Sequence, residues 1–170
     1  MTYTTLVLGG ARSGKSAYAE ELLAGAAALY VATGQAFDGE MAERIALHVK
    51  RRGPTWSTIE EPLELAQVLD RHLDPARPIL VDCLTLWISN LMHAGRDVAV
   101  ETAALAEVLA AARGPVVLVS SEVGLGLVPE TKLGRDFRDH QGRVNQHMAK
   151  ICQKVVFVAA GLPLVLKDQH

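Results

Sequence analysis

Residues 6–16, LVLGGARSGKS, decide the fold of this 170-residue chain. They match the pattern G-x-x-x-x-G-K-[S/T], with an apolar strand before it and a helical pattern after it, which is the context that a phosphate-binding loop requires. The glycines let successive backbone N–H groups converge on anionic oxygens. The residues predicted to bind a nucleotide here are Gly9, Gly10, Ala11, Arg12, Ser13, Gly14, Lys15 and Ser16.

Two side chains of this loop have predicted chemical roles. Lys15 is expected to bridge the β- and γ-phosphates as a point charge, and the Ser16 hydroxyl to bind the Mg²⁺ that accompanies nucleotide phosphates. The alternative is a glycine-rich turn that arose by chance, and the flanking strand and helix argue against it.

Asp82 ends the apolar run PILVD, at the carboxyl end of a predicted buried strand. Ligands of open α/β sheets bind at that edge, and a carboxylate there can hold magnesium directly or through water. The alternative is that Asp82 caps the helix predicted to begin at Leu84. The chain has no Asn-Lys-x-Asp motif, which argues against a regulatory GTPase, although guanine can be recognised by other means.

The rest of the chain alternates short, β-branched apolar runs with longer helical patterns. Continuous apolar runs of this length are typical of strands buried on both faces of a parallel sheet. The predicted strands are 4–8, 29–33, 56–60, 79–82, 116–120, 155–159 and 164–167. The predicted helices lie near 15–24, 39–50, 63–73, 84–93, 98–112 and 131–153.

Glycine and proline mark the ends of these elements. Four glycines follow helical patterns, where a left-handed cap residue is favoured. These are Gly25, Gly53, Gly95 and Gly114. Pro62 suits the first turn of the helix that follows it, because its φ is already fixed near the helical value.

This alternation predicts βαβ units with right-handed crossovers. We therefore expect residues 1–170 to form a single three-layer α/β domain with a mostly parallel sheet of about seven strands. Residues 161–163 join the last two strands too closely for a crossover helix, so that pair is expected to be antiparallel.

The composition restricts the classes of function. Seventeen Lys and Arg oppose 19 Asp and Glu, for a formal charge of −2, which offers no electrostatic footprint for nucleic acid or an anionic membrane. Cys83 and Cys152 lie in apolar surroundings without paired spacing, typical of a reduced protein. The start MTYTT does not resemble a secretory signal, and the apolar stretch 155–166 is too short to span a bilayer. We expect a cytoplasmic protein without membrane insertion or a nucleic-acid partner.

His48 differs from the other histidines in its surroundings. Within residues 38–52, DGEMAERIALHVKRR, it shares a helical face with Met41 and Ile45. The nearby cations are Arg44, Lys50, Arg51 and Arg52. They favour a neutral imidazole, which can attack phosphorus near pH 7. The alternative, which spacing alone favours, is an interfacial histidine near a helix end where the helix dipole attracts cations.

Five segments in this order resemble the bifunctional adenosylcobinamide kinase / adenosylcobinamide-phosphate guanylyltransferase family of cobalamin biosynthesis. They are GGARSGKS from residue 9, YVAT from residue 30, EMAERIxxH ending at His48, EVGxGxVP from Glu122 and FRDxxGxxNQ from Phe137. The resemblance runs almost end to end. It implies a RecA-like P-loop NTPase fold and a homotrimer.

The resemblance also implies two reactions. The terminal phosphate of ATP or GTP passes to the hydroxyl of the aminopropanol arm of adenosylcobinamide. GTP then guanylylates a histidine with release of pyrophosphate, and the GMP passes to adenosylcobinamide phosphate to give adenosylcobinamide-GDP.

By position in the motif, His48 takes the role of the guanylylated histidine. The resemblance places the other GTP contacts at Thr33, Gly34, Gln35, Val49, Lys50, Arg51, Arg52, Glu60 and Asp82. The chain departs from the family at Leu47, where members often carry a second histidine, and at Asp82, where they can carry glutamate.

The segment 122–146 is the candidate for the corrinoid side. Its glycines form a loop directly after a strand end, at the ligand edge of the sheet. Glu122 is a candidate base for the substrate hydroxyl or an indirect partner of magnesium. Arg138 and Asp139 belong to this candidate segment. The alternative interpretation is that they form a solvated ion pair on the surface.

Two rival functions stay open. One is a P-loop small-molecule kinase without a covalent step, which pyrophosphate release from GTP would distinguish. The other is a RecA-like ATPase module that binds DNA or a partner protein, which salt-sensitive DNA binding would reveal.

Overall fold

A computed structural model describes residues 4–35, 43, 46, 49–50 and 53–169 of the chain. Four residues of the predicted helix 39–50 fall within it, and all four are helical and exposed: Glu43, Ala46, Val49 and Lys50. His48, Arg51 and Arg52 lie outside the described residues. No helix in the described part of the chain is both long and apolar enough to cross a membrane.

All seven predicted strands are present in one sheet. They are β1 (Thr4–Gly9), β2 (Leu29–Ala32), β3 (Ser57–Glu60), β4 (Ile79–Asp82), β5 (Val116–Ser121), β6 (Lys154–Ala159) and β7 (Leu162–Asp168). Their spatial order is β3-β2-β4-β5-β1-β6-β7. Every neighbouring pair is parallel except β6 and β7. The prediction of a parallel sheet with one antiparallel strand at its C-terminal end is therefore confirmed.

Helices cover both faces of this sheet. They are α1 (Lys15–Glu21), α2 (Leu65–His72), α3 (Leu84–His93), α4 (Val98–Ala110) and α5 (Lys132–Ile151). Successive strand residues point to opposite faces, so Leu6 and Leu8 join a core cluster with α2–α5 while Val7 joins a smaller cluster with α1. The three-layer architecture follows from this alternation.

Local differences from the sequence prediction have identifiable causes. The backbone at Gly25, Gly53 and Gly95 is left-handed, as predicted. The same prediction is wrong for Gly114, where glycine is needed because a Cβ would press on the backbone of Asp74, 2.7 Å from its carbonyl carbon.

Pro62 precedes α2 rather than opening it. The Glu61 carboxylate accepts hydrogen bonds from the backbone N–H groups of Leu63 and Glu64, both at 2.9 Å. These bonds form a turn that delays the first helical residue to Leu65.

Lys167 of β7 stabilises the end of α5. The last carbonyl groups of a helix have no partner within the helix, and the Lys167 ammonium donates to three carbonyl oxygens there. The distances are 3.0 Å to Ala149, 2.9 Å to Lys150 and 2.7 Å to Cys152. One cation therefore joins the edge strand to the longest described helix, with a charge that also complements the helix dipole.

Replacing Lys167 by methionine is expected to lower the free energy of unfolding by about 2 kcal/mol, because charge-assisted hydrogen bonds to a helix end are lost while the aliphatic stem remains. Urea denaturation measures this. Lys132→Met is the control, since it removes only an exposed i,i+4 pair with Asp136, worth roughly 0.5 kcal/mol or less. Equal effects of the two substitutions would contradict the role assigned to Lys167.

Candidate nucleotide-binding site

The phosphate loop connects β1 to α1 through a compressed backbone. Arg12 has a φ of 54° and Gly14 a φ of 94°, both left-handed, and the Ser13 N–H donates to the Gly10 carbonyl at 3.3 Å. Such a backbone turns its N–H groups inward, as an anion-binding nest does. Ala11 and Arg12 are exposed while Ser13 is buried, so the loop presents one face to solvent and one to the sheet.

The hairpin formed by β6 and β7 packs against the phosphate loop. The Gly161 N–H, in the turn between β6 and β7, donates to the Ser13 carbonyl at 2.8 Å. A Cβ on Gly14 would lie 3.1 Å from the Gly161 Cα, and a Cβ on Gly9 would lie 2.7 Å from the Val158 carbonyl oxygen and would overlap the Ser13 hydroxyl. These glycines permit the close approach of loop and hairpin.

Lys15 and Ser16 open α1 directly after the loop. The Lys15 ammonium donates to the Gly10 carbonyl at 3.1 Å, which holds it over the loop with two of its three protons available to other acceptors. Ser16 is half-buried in the first turn. The Ser13 hydroxyl is buried and has no hydrogen-bond partner among the described residues.

Asp82 lies at the carboxyl edge of the sheet, on the same face as α1. Two residues before it, Leu80 packs in the α1 cluster, and side chains two apart on a strand share a face. The Tyr30 hydroxyl donates to Asp82 Oδ2 at 3.1 Å. Because β5 separates β4 from β1, Asp82 stands roughly 10 Å across the edge from the strand that carries the phosphate loop. Asp82 also lies one residue too early to cap α3, whose N-cap is Cys83.

Thr33 joins the ends of β2 and β4. Its hydroxyl donates to the Cys83 carbonyl at 2.6 Å and accepts from the Cys83 N–H at 2.9 Å. Its own carbonyl accepts from the Asn90 side chain at 2.7 Å. Thr33 is completely buried, so its side chain acts on the site through the position of the neighbouring backbone.

The other predicted contacts are spread along the same edge. Gly34 is partly buried, and a Cβ there would lie 3.0 Å from Leu86; Gln35 is exposed. Glu60 is exposed at the end of β3, in register with Ala32, which also faces Asp82. Val49 and Lys50 are helical and exposed, whereas the predictions at His48, Arg51 and Arg52 concern residues that the structure does not describe.

Several residues that support this edge had no predicted role, although Tyr30 and Asn145 lie in segments that carry the family resemblance. Tyr30 and Asn90 bond Asp82 and Thr33 as described above, and the end of β5 is held from both sides at Ser121. The Thr85 hydroxyl accepts from the Ser121 N–H at 2.8 Å, and the Asn145 side chain donates to its carbonyl at 3.0 Å. The family segments that contain Tyr30 and Asn145 were the available signal, whereas no quoted motif includes Asn90 or Thr85.

Cys83 sits beside this site as a neutral thiol. Burial, with a smaller contribution from the Asp82 carboxylate, raises its pKa to about 11. Burial also raises the pKa of Cys152 to about 12. Because the thiolate is the nucleophilic form, neither cysteine supplies a nucleophile near neutral pH.

Comparisons with known proteins found relatives over almost the whole chain. A family model described as cobinamide kinase / cobinamide phosphate guanyltransferase matches residues 5–166. The bifunctional adenosylcobalamin biosynthesis protein CobP of Pseudomonas aeruginosa is 48% identical over 168 residues, covering 96% of this chain and 97% of the relative. The bifunctional adenosylcobalamin biosynthesis protein CobU of Escherichia coli is 40% identical over 178 residues, covering 95% of this chain and 98% of the relative.

A solved structure supports the fold. An ATPase from the type III secretion system of pathogenic bacteria is similar with a TM-score of 0.57 and 12% identity. The match covers 96% of this chain and 56% of the ATPase chain, so the chain spans about half of that protein. The expected P-loop NTPase fold is confirmed.

Gly9→Ala is expected to destabilise the protein by about 2 kcal/mol, because backbone of β6 must move to admit the methyl group. GTP affinity is expected to fall at least tenfold, as the loop changes shape. Thermal unfolding and equilibrium GTP titration measure the two effects. The control for stability is Gly10→Ala, since a Cβ there meets nothing within 4 Å. A Gly9→Ala protein as stable as the Gly10→Ala protein would contradict the proposed close fit.

Thr33→Val is expected to lower the free energy of unfolding by about 2 kcal/mol, because the buried Cys83 N–H loses its acceptor and the Cys83 carbonyl keeps only the Trp87 N–H as donor. Thr33→Ser keeps the hydroxyl and should retain most of the stability. Urea denaturation and GTP titration separate the two possible roles of Thr33. If the valine variant kept full stability but bound GTP weakly, the hydroxyl would be a nucleotide contact rather than the link between β2 and β4.

Proposed function

This chain belongs to the cobinamide kinase / cobinamide phosphate guanyltransferase family, and on that premise we propose that it carries out both reactions at one nucleotide site. The observation that supports a single site is the placement of Lys15, Ser16 and Asp82. All three lie at the carboxyl edge of the sheet on the face covered by α1. We infer ATP or GTP as nucleotide substrates and adenosylcobinamide as the acceptor.

Residues of the phosphate loop support the kinase step. The hydroxyl of the aminopropanol arm attacks the γ-phosphorus, the bond to the β-phosphate oxygen breaks, and a nucleoside diphosphate leaves. Lys15 balances the charge that builds on the β- and γ-phosphate oxygens, and the loop N–H groups orient them. Glu122, whose own N–H donates to the Gly9 carbonyl at 2.9 Å, is the proposed acceptor of the hydroxyl proton.

The residues present fit a magnesium ion. Mg²⁺ prefers oxygen ligands and is usually bound by one or two protein groups together with substrate phosphates. The Ser16 hydroxyl and the Asp82 carboxylate are such groups, and the Tyr30 hydrogen bond orients the carboxylate. Bound there, Mg²⁺ would neutralise phosphate charge and polarise the reacting phosphoryl group.

His48 is the proposed nucleophile of the second step. Its imidazole nitrogen attacks the α-phosphorus of GTP, pyrophosphate leaves, and a phosphorus–nitrogen bond forms. The phosphate of adenosylcobinamide phosphate then attacks the same phosphorus and the histidine is released. In-line attack at the α-phosphorus and at the γ-phosphorus requires different alignments, so the nucleotide or the segment predicted to carry His48 shifts between the steps.

The remaining proposed GTP contacts follow from their location. Gly34, Gln35 and Glu60 border the edge near Asp82, where they can reach the nucleoside. Val49, Lys50, Arg51 and Arg52 follow His48 along the chain, and the cations of the lysine and the two arginines can balance the phosphate charge. Thr33 contributes by fixing the backbone that leads into Gly34.

The resemblance to the family also supports two proposals about the protein in the cell. We infer a homotrimer, which light scattering on the purified chain tests directly. We infer a cytoplasmic location, in keeping with two buried cysteines that are unpaired in the structure.

Incubation with GTP labelled on its α-phosphate, with Mg²⁺ and without corrinoid, is expected to leave one GMP per chain through an acid-labile bond. His48→Ala should abolish the label, because the phosphorus–nitrogen bond needs the imidazole. His72→Ala, at the end of α2, is the control and should label normally. Mass spectrometry of the peptide that contains His48 locates the adduct.

The outcome decides between the candidate functions. Label that persists in His48→Ala would contradict the assignment of the nucleophile. A wild-type protein that phosphorylates adenosylcobinamide but neither becomes labelled nor releases pyrophosphate would be the rival kinase without a covalent step.

A further inference from the structure

The loop between β5 and α5 exposes three large apolar side chains to solvent. Leu125 is 84% exposed, Leu127 96% and Val128 65%. Single exposed apolar residues are common, but a cluster within four consecutive residues is characteristic of a contact surface. We refer to these three residues as the apolar lip.

The loop that carries the apolar lip begins beside the phosphate loop. The N–H of Glu122, three residues before Leu125, donates to the Gly9 carbonyl at 2.9 Å. An extended chain advances at most about 3.4 Å per residue, so Leu127 lies within roughly 17 Å of Glu122. The lip therefore lies near the carboxyl edge where Lys15 and Asp82 are found.

Hydrogen bonds hold both ends of the loop. At the start, the Glu122 carboxylate accepts from the Gly124 N–H at 2.6 Å. At the end, the Arg135 guanidinium donates to the carbonyls of Pro129 at 3.0 Å and Glu130 at 2.7 Å. Pro129 also packs so closely on α5 that a Cβ on Gly134 would lie 2.8 Å from it. The apolar side chains are thus displayed from an anchored loop.

An apolar groove continues from the end of this loop. It has a volume of about 280 Å³ and lies between α3 and α5, with Met92, Leu133 and Phe137 among its lining residues. Leu133 is itself more than half exposed. Loop and groove together offer a surface for a flat, partly apolar molecule larger than a nucleotide base.

We propose that the apolar lip binds the corrin macrocycle of the acceptor during both reactions. This inference rests on the proposed function, which requires the aminopropanol hydroxyl to reach the γ-phosphate. The arm is short compared with the macrocycle, so the ring must lie just outside the edge of the sheet, beside the phosphate loop. Leu127 and Leu125 are the two most exposed large apolar side chains among the described residues, and the loop that carries them starts at the phosphate loop.

The size of the lip favours this occupant over a second copy of the chain. Three side chains offer an apolar patch of a few hundred Å² at most, comparable to one face of a macrocycle. A stable protein–protein interface buries about 800 Å² on each partner. Contact with the ring would occur equally in the ground and transition states, so it should act on substrate binding rather than on the chemical step.

The test compares Leu125→Ser/Leu127→Ser with Val100→Ser, which changes a 63% exposed apolar residue on α4. The double variant should raise the KM for adenosylcobinamide in the kinase assay by about tenfold or more, since two apolar contacts are lost. Its kcat, its KM for GTP and its self-guanylylation without corrinoid should match those of wild type. The control should match wild type in every assay.

Each other result has a definite meaning. An unchanged KM for adenosylcobinamide would overturn the inference, and so would a changed oligomeric state in light scattering, which would make the lip a subunit contact. Failure of wild type to self-guanylylate would count against the proposed function instead. In that case, ultrafiltration still tests the inference by measuring how much adenosylcobinamide the wild type and the double variant retain. Equal retention by the two proteins would overturn the inference.

Discussion

The close approach of the phosphate loop to β6 is the constraint on which the rest of the structure depends. At Gly9 the space for a side chain is already occupied by the Ser13 hydroxyl and the Val158 carbonyl. This close packing fixes the position of the phosphate loop relative to β1 and β6. The hydrogen bond from Gly161 to Ser13 extends this fit to the C-terminal hairpin. As a result, Lys15 and Ser16 are held at a defined point of the sheet edge before any ligand binds, which lowers the entropy lost on binding.

The polar residues at this edge fall into two groups. Some form hydrogen bonds with the backbone, and others remain accessible to a ligand. Thr33 and Asn90 use their polar atoms on neighbouring backbone groups, and Thr85 and Asn145 hold both sides of Ser121. Asp82, by contrast, has one oxygen bonded to Tyr30 and remains partly exposed. A parallel sheet has loops at its carboxyl edge whose N–H and carbonyl groups need partners. Here those partners also fix the geometry of the site.

This arrangement is compatible with two reactions at one nucleotide site. The phosphate loop, Asp82 and the end of β5 are tied to the sheet, so they provide fixed points for the phosphates. The parts that must differ between the steps are the nucleophile and the acceptor. In the proposed mechanism these are His48 and the corrinoid at the apolar lip, and both act on phosphates that the sheet edge holds in place.

The sequence by itself determined the class of fold, the phosphate loop and the place of Asp82. Apolar runs and the glycine-lysine-serine pattern can be recognised within a few consecutive residues. The features that they predict can therefore be inferred without knowing how distant parts of the chain pack. It also predicted the antiparallel last strand from the length of one turn. Three features were decided by the tertiary structure alone. The Thr33 hydroxyl is hydrogen-bonded to the Cys83 backbone, and Lys167 donates to carbonyl groups at the end of α5. Gly114 leaves room for the Asp74 backbone instead of forming a left-handed cap. Each of these pairs residues at least 15 positions apart, and such contacts are set by how the elements pack, which no local pattern encodes.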